Sequence, residues 1–108
     1  MVFRRQLWRF EILLPLTYND GSPVEQIRFT LTREELDTIF GGSTYDVIPA
    51  SGHWFYQGVL YDDALIRLRL DIPHSRDNIN FFRQYKKVLK ARFRQLDIWM
   101  TVYKIRIL

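Results

Sequence analysis

Two segments of this chain alternate apolar and polar residues with a period of two, and that pattern restricts the fold more than any other feature. In residues 7–14, Trp8, Phe10, Ile12 and Leu14 point one way, while Arg9 and Glu11 point the other. In residues 64–72, Ala64, Ile66, Leu68, Leu70 and Ile72 oppose Arg67, Arg69 and Asp71. Successive side chains of a strand leave opposite faces, so each segment predicts a strand with one buried and one charged face. Pro15 and the turn-forming run Asn19-Asp20-Gly21-Ser22-Pro23 end the first, and Pro73 ends the second.

Helical signals follow each strand. Thr32-Arg33-Glu34-Glu35 has the spacing of a capping box, Leu36, Ile39 and Phe40 recur at helical spacing, and Gly41-Gly42 stops the run. The expected first helix covers about residues 32–40. Ser75 or Asp77 caps a second helix over about 78–95, with Phe82, Tyr85, Leu89, Phe93 and Leu96 as its apolar stripe. Residues 44–60 are strand-like but broken by Pro49 and Gly52, which fits an edge or a bulge. Residues 98–107 form a last strand whose apolar residues lie on both faces, as if covered on both. The order strand, helix, strand, strand, helix, strand predicts an α+β fold of ferredoxin-like βαββαβ type. Its four-stranded antiparallel sheet carries both helices on one face. With 108 residues, the expectation is one domain over 1–108.

Composition supports a core without metal or covalent support, since 47% of residues are apolar and 16% aromatic. No cysteine is present, which excludes disulfides, zinc-thiolate sites and thiol catalysis. Together with an apolar run at 7–16 interrupted by Arg9 and Glu11, this sets a cytoplasmic expectation with no membrane partner. The net charge of +4 permits an anionic partner without requiring one.

Candidate sites fall in three places. Arg83, Lys86, Lys87, Lys90 and Arg94 on the second helix, with no acid between Arg83 and Gln95, suit a phosphate backbone or a solvated face. The sheet face away from the helices carries Arg9, Glu11, Arg67, Arg69 and, from the last strand, Trp99 or Tyr103, with His53 or Phe55 alongside. Cross-strand pairing of Glu11 with Arg67 or Arg69 is expected there, and the face suits a ligand or a second copy. RNA-recognition domains of this layout put stacking aromatics where this chain has Arg and Glu, which argues against that class. The third place is Pro49-Ala50-Ser51-Gly52-His53-Trp54, where His53 and Trp54 suit a small pocket with His53 as acid or base. Asp20, Asp46, Asp62, Asp63, His53 and His74 lack metal-ligand spacing, no serine sits in a nucleophile elbow, and Gly41-Gly42 follows a helix instead of opening one. Neither a metal nor a cofactor is expected.

Leu14-Pro15-Leu16, Asn19-Asp20-Gly21, Phe40-Gly41-Gly42-Ser43-Thr44, Gly52-His53-Trp54, Tyr61-Asp62-Asp63 and Arg92-Phe93-Arg94-Gln95 resemble small bacterial single-domain proteins with no assigned activity. The resemblance implies a standalone bacterial domain and carries over no catalytic residue. From the residues, the leading expectation is a non-enzymatic binding or assembly domain, a homodimer or other homo-oligomer joined through its sheet face or an edge strand. Two alternatives stand beside it: a nucleic-acid-associated protein using the basic helix, and a small pocket enzyme near His53 and Trp54.

Overall fold

The structure, a computed structural model, describes residues 6–48, 54–56, 59–61 and 64–108, with 54–56 and 59–61 described by their backbone. Its elements are β1 (Leu7–Pro15), α1 (Gln26–Phe40), β2 (Thr44–Ile48), β3 (Trp54–Tyr56), β4 (Val59–Tyr61), β5 (Leu65–Pro73), α2 (Arg76–Arg92) and β6 (Trp99–Lys104). A four-stranded antiparallel sheet runs in the order β2-β5-β1-β6. This is the ferredoxin-like arrangement, with the two long alternating strands at its centre. β3 and β4 form a separate two-stranded sheet between β2 and β5. The second sheet strand is therefore confined to residues 44–48, and the expectation that Phe55 flanks the main sheet is corrected.

Register sorts the faces. Phe10 stands opposite Leu70 and Val102, and Ile12 opposite Leu68 and Met100, so these rows share the face under the helices. Phe10, Ile12, Leu14, Leu68, Leu70 and Ile72 are buried there with Phe29 and Leu36 of α1 and Phe82, Tyr85 and Leu89 of α2. Aromatic packing joins the layers: Phe10 stacks on Phe82 at 4.7 Å, Phe40 on Phe82 at 5.4 Å, and Phe29 meets Phe93 at 5.2 Å. Burial of such rings removes large apolar areas from water and favours offset contacts of this kind.

The helix ends differ from the expected ones for physical reasons. α1 begins at Gln26, six residues before the apparent capping box, because residues from Arg28 onward already keep helical bonding. Thr32 lies buried within the helix, and its hydroxyl donates to the Arg28 carbonyl at 2.8 Å. The same oxygen accepts from Arg92 Nη1 at 2.8 Å. Glu35 does not cap either; it pairs with Arg92 at 2.5 Å and accepts from the Tyr85 hydroxyl at 3.0 Å. These contacts staple the two helices together. Gly41 caps α1 at φ 84°, a conformation costly for any residue with a Cβ. Ser75 caps α2 as expected, accepting from the Asn78 amide at 3.1 Å. α2 ends at Arg92, so Arg94 lies beyond it with φ 53°, and Leu96 is exposed at 58% instead of completing the buried stripe. β6 is an edge strand whose helix-side face is partly covered, with Met100 packed against the core. Trp99 and Tyr103 on its other face are exposed, so it is not covered on both faces as the sequence suggested.

Burial and then the Glu35 carboxylate push the Tyr85 hydroxyl up to about 12 from its ordinary value of 10.0. The neutral phenol is favoured in the folded state, so its contribution to stability is intact below pH 10 and is lost as pH rises to about 12. Urea titrations across this range are expected to show Tyr85→Phe abolishing that part of the alkaline loss. An unchanged alkaline slope in the variant contradicts the assignment.

Candidate functional site

The sheet face opposite the helices is a plane of charged and aromatic side chains. The registers place Asp46, Arg67, Leu13 and Trp99 in one cross-strand row. Thr44, Arg69, Glu11 and Thr101 form the next, followed by Asp71, Arg9 and Tyr103. Arg9, Glu11, Arg67, Arg69 and Trp99 are thus brought together as the alternation predicted. Their pairing differs from expectation. Arg9 makes a two-pronged contact with Asp71, Nε to Oδ1 at 2.8 Å and Nη2 to Oδ2 at 2.9 Å. Arg67 does the same with Asp46, at 3.0 and 2.7 Å. Glu11 pairs with neither Arg67 nor Arg69; it accepts from the Tyr103 hydroxyl at 2.7 Å.

The physical reason is the matching of planar forks. A guanidinium facing a carboxylate on the adjacent strand forms two parallel bonds, and Asp46 and Asp71 each occupy such a position. Their guanidinium partners hold both carboxyl groups below the usual range, and hydrogen bonding to Glu11 raises the Tyr103 hydroxyl. Asp46 was considered in the sequence for metal binding; the alternation Thr44-Asp46-Ile48 was the signal for its true place. Arg69 is the exception. Its nearest carboxylate contact, to Asp46, is 3.8 Å, and its Nε is shielded from solvent with no hydrogen-bond partner. Trp99 stands 63% exposed at the rim of the same face.

A second feature lies on the helix side, where α2 overhangs β6. A cleft of about 250 Å³ has a floor of Phe10, Ile12, Met100 and Val102 beneath Ile79 and Phe82, with Glu11, Thr101, Arg83 and Lys86 completing its lining. Its volume is just under the range of about 300–1,000 Å³ usual for small-ligand sites.

The five basic residues do not form one continuous unpaired row. Lys86 bonds Asp97 at 2.9 Å, and Lys87 contacts Gln84 at 3.4 Å. Arg94, beyond the helix end, lies 4.7 Å over the Tyr18 ring. Arg83 and Lys90 have no ion pair within 4 Å among the described residues. His53 lies outside the described residues, as do Asp62 and Asp63, and Trp54 is placed by backbone pairing with Tyr61 in the small sheet. His74 packs its ring on Trp8 at 4.3 Å, and Asp20 accepts from the Ser22 amide at 2.9 Å within its own turn. Among the described residues no group of three or more potential ligands converges on a metal position, and no helix is long and apolar enough to cross a membrane. The cluster joining Thr32, Glu35, Tyr85 and Arg92 was missed because its two α1 members imitate a local cap.

No family model matches the chain, and no curated protein matches it either. Among solved structures it superimposes on a phage SAM lyase in complex with S-methyl-5'-thioadenosine, with a TM-score of 0.67. The match covers 99% of this chain and 95% of that one at 13% identity. The likeness supports the ferredoxin-like fold. It also overturns the expectation of a non-enzymatic assembly domain, because the neighbour sharing nearly the whole architecture is an enzyme holding a nucleoside.

A double-mutant cycle on Arg9→Ala and Asp71→Ala is expected to give a coupling of about 0.5–1 kcal/mol at pH 7. Asp71 is held below its ordinary value of 3.8, so the coupling persists above that pH. It disappears as pH falls through the lower folded value. A coupling that does not weaken at all as pH falls below 3.8 contradicts this origin.

Proposed function

We propose that this chain is a small lyase acting on a sulfonium nucleoside, S-adenosylmethionine, and releasing S-methyl-5'-thioadenosine. The observation that carries the reading is the two-way coverage of 99% and 95% with the SAM lyase, which leaves little of either chain unaccounted for. S-Methyl-5'-thioadenosine retains both the methyl and the adenosyl group. The bond that breaks is therefore the one between sulfur and the amino-acid side chain. Its electron pair goes to sulfur, and the cationic sulfonium becomes a neutral thioether. The substrate's own carboxylate oxygen forms the new bond to the γ-carbon as sulfur leaves, closing a five-membered lactone, so no second substrate is needed.

Electrostatics favours the open sheet face over the helix-side cleft for this chemistry. A sulfonium is a fixed cation, and Arg83 in the cleft lining repels it, Lys86 being paired with Asp97. On the open face, by contrast, Asp71 and Asp46 offset Arg9 and Arg67. The open face offers the Glu11 carboxylate, the Tyr103 ring and the exposed Trp99 indole, all of which attract cations or flat rings. In this reading Trp99 stacks the purine and Glu11 faces the positive sulfur. Strands about 4.8 Å apart and same-face steps of about 7 Å put Trp99 roughly 12 Å from Arg69, two strands and one step away. That is the span of a nucleoside with a short amino-acid tail.

Incubation of the purified chain with S-adenosylmethionine, followed by chromatography, is expected to yield S-methyl-5'-thioadenosine in equal amount to the substrate lost. Glu11→Gln is expected to reduce kcat/KM by about 100-fold, a size usual for a positioned charge. The proposal fails if the wild-type chain, at substrate-level concentration, produces no S-methyl-5'-thioadenosine.

A further inference from the structure

We infer that Arg69 is the anchor for the substrate's α-carboxylate, and that it discriminates the amino-acid-bearing substrate from the shortened product. The inference rests on the open face being the substrate site and names the chemistry at one end of it.

Three arginines share this face, and two are chemically saturated. Arg9 and Arg67 each hold a carboxylate with two bonds of 3.0 Å or less. Arg69 stands next to Arg67 on the same face of β5, yet its nearest Asp46 oxygen is 3.8 Å away, beyond hydrogen-bond reach. Both Asp46 oxygens face the Arg67 fork, and neither comes within hydrogen-bond distance of Arg69. The Arg69 Nε is shielded from water and bonds nothing, while the side chain as a whole keeps 30% of its exposure. A desolvated donor without a partner is costly, and a bound acceptor would remove that cost. Among the described residues the Nε of Arg33, on α1, is the other such donor.

The surroundings select the class of ligand. Directly across the strand pair stands Glu11, which gives one oxygen to the Tyr103 hydroxyl and makes no ion pair with Arg69. A guanidinium and a carboxylate opposite one another but unpaired match a molecule carrying its own carboxylate beside its own positive charge. A sulfonium amino acid has that form, with the carboxylate directed to Arg69 and the cationic part to Glu11. A bare phosphate or other simple anion satisfies Arg69 and meets repulsion from Glu11. After cleavage the thioether product has neither charge and keeps neither contact. The same pair of residues therefore both recruits substrate and lets product go.

Isothermal titration with S-adenosylmethionine, its decarboxylated analogue and S-methyl-5'-thioadenosine tests this. The decarboxylated analogue keeps the sulfonium and loses only the carboxylate. Wild-type protein is expected to prefer S-adenosylmethionine over it by about 10–100-fold, the worth of a charge-assisted contact. Arg69→Met is expected to abolish that preference while leaving affinity for S-methyl-5'-thioadenosine within about twofold, and Arg69→Lys to restore part of it. Equal affinity of the wild type for the first two ligands, or preference retained in Arg69→Met, overturns the assignment. If Arg69→Met does not fold, loss of preference is read from Arg69→Lys, which keeps the charge but not the fork. Turnover measured alongside separates the two claims. Discriminating binding without turnover removes the lyase reading and keeps the Arg69 assignment. Turnover with undiminished discrimination in Arg69→Met does the reverse.

Discussion

The antiparallel register between β1 and β5 is the constraint from which the rest follows. Phe10 opposite Leu70 and Ile12 opposite Leu68 put four large apolar side chains under the helices, and the same pairing puts Arg9 opposite Asp71 and Glu11 opposite Arg69. A slip of one residue in either strand exposes its apolar set and drives its charges beneath α1 and α2. Burying an unpaired guanidinium costs several kcal/mol, so the alternative register is closed from both sides. One choice of pairing thus creates the core and the charged face together.

The charged face stays stable because its charges are sorted into forks. Exposed ion pairs contribute little, and a row of arginines on adjacent strands repels itself. Asp46 and Asp71 offset that repulsion for Arg67 and Arg9, with planar geometry that a lysine does not reproduce. The arrangement leaves Arg69 without a close partner and Trp99 uncovered, at opposite ends of a diagonal across three strands. Structural saturation elsewhere makes these two residues chemically conspicuous. The helix-side cleft differs in having an apolar floor of Phe10, Ile12, Met100 and Val102.

Much of this was legible in the residues. The element order, the one-sided placement of the helices and the co-location of Arg9, Glu11, Arg67, Arg69 and Trp99 follow from period-two alternation, a local property. The start of α1 was misread because Thr32 and Glu35 have capping-box spacing, while their true partners, Tyr85 and Arg92, lie 50 to 60 residues away. Glu11 was also given the wrong partner, and Asp46 was given none. Which strand neighbours which edge is settled by chain crossovers, and the sequence carries no signal for the diagonal Tyr103 contact. The functional expectation fell to a likeness of fold that no motif announces at 13% identity.

The sequence by itself determined the faces: alternation dictates which side chains leave a strand together, whatever the strand is next to. Only the tertiary structure decided which charges satisfy one another, because that depends on strands separated along the chain arriving side by side at a given offset. Arg67 and Arg69 are indistinguishable by pattern, two residues apart on one strand. The position of a single aspartate on β2 makes one of them a saturated structural pair and leaves the other open.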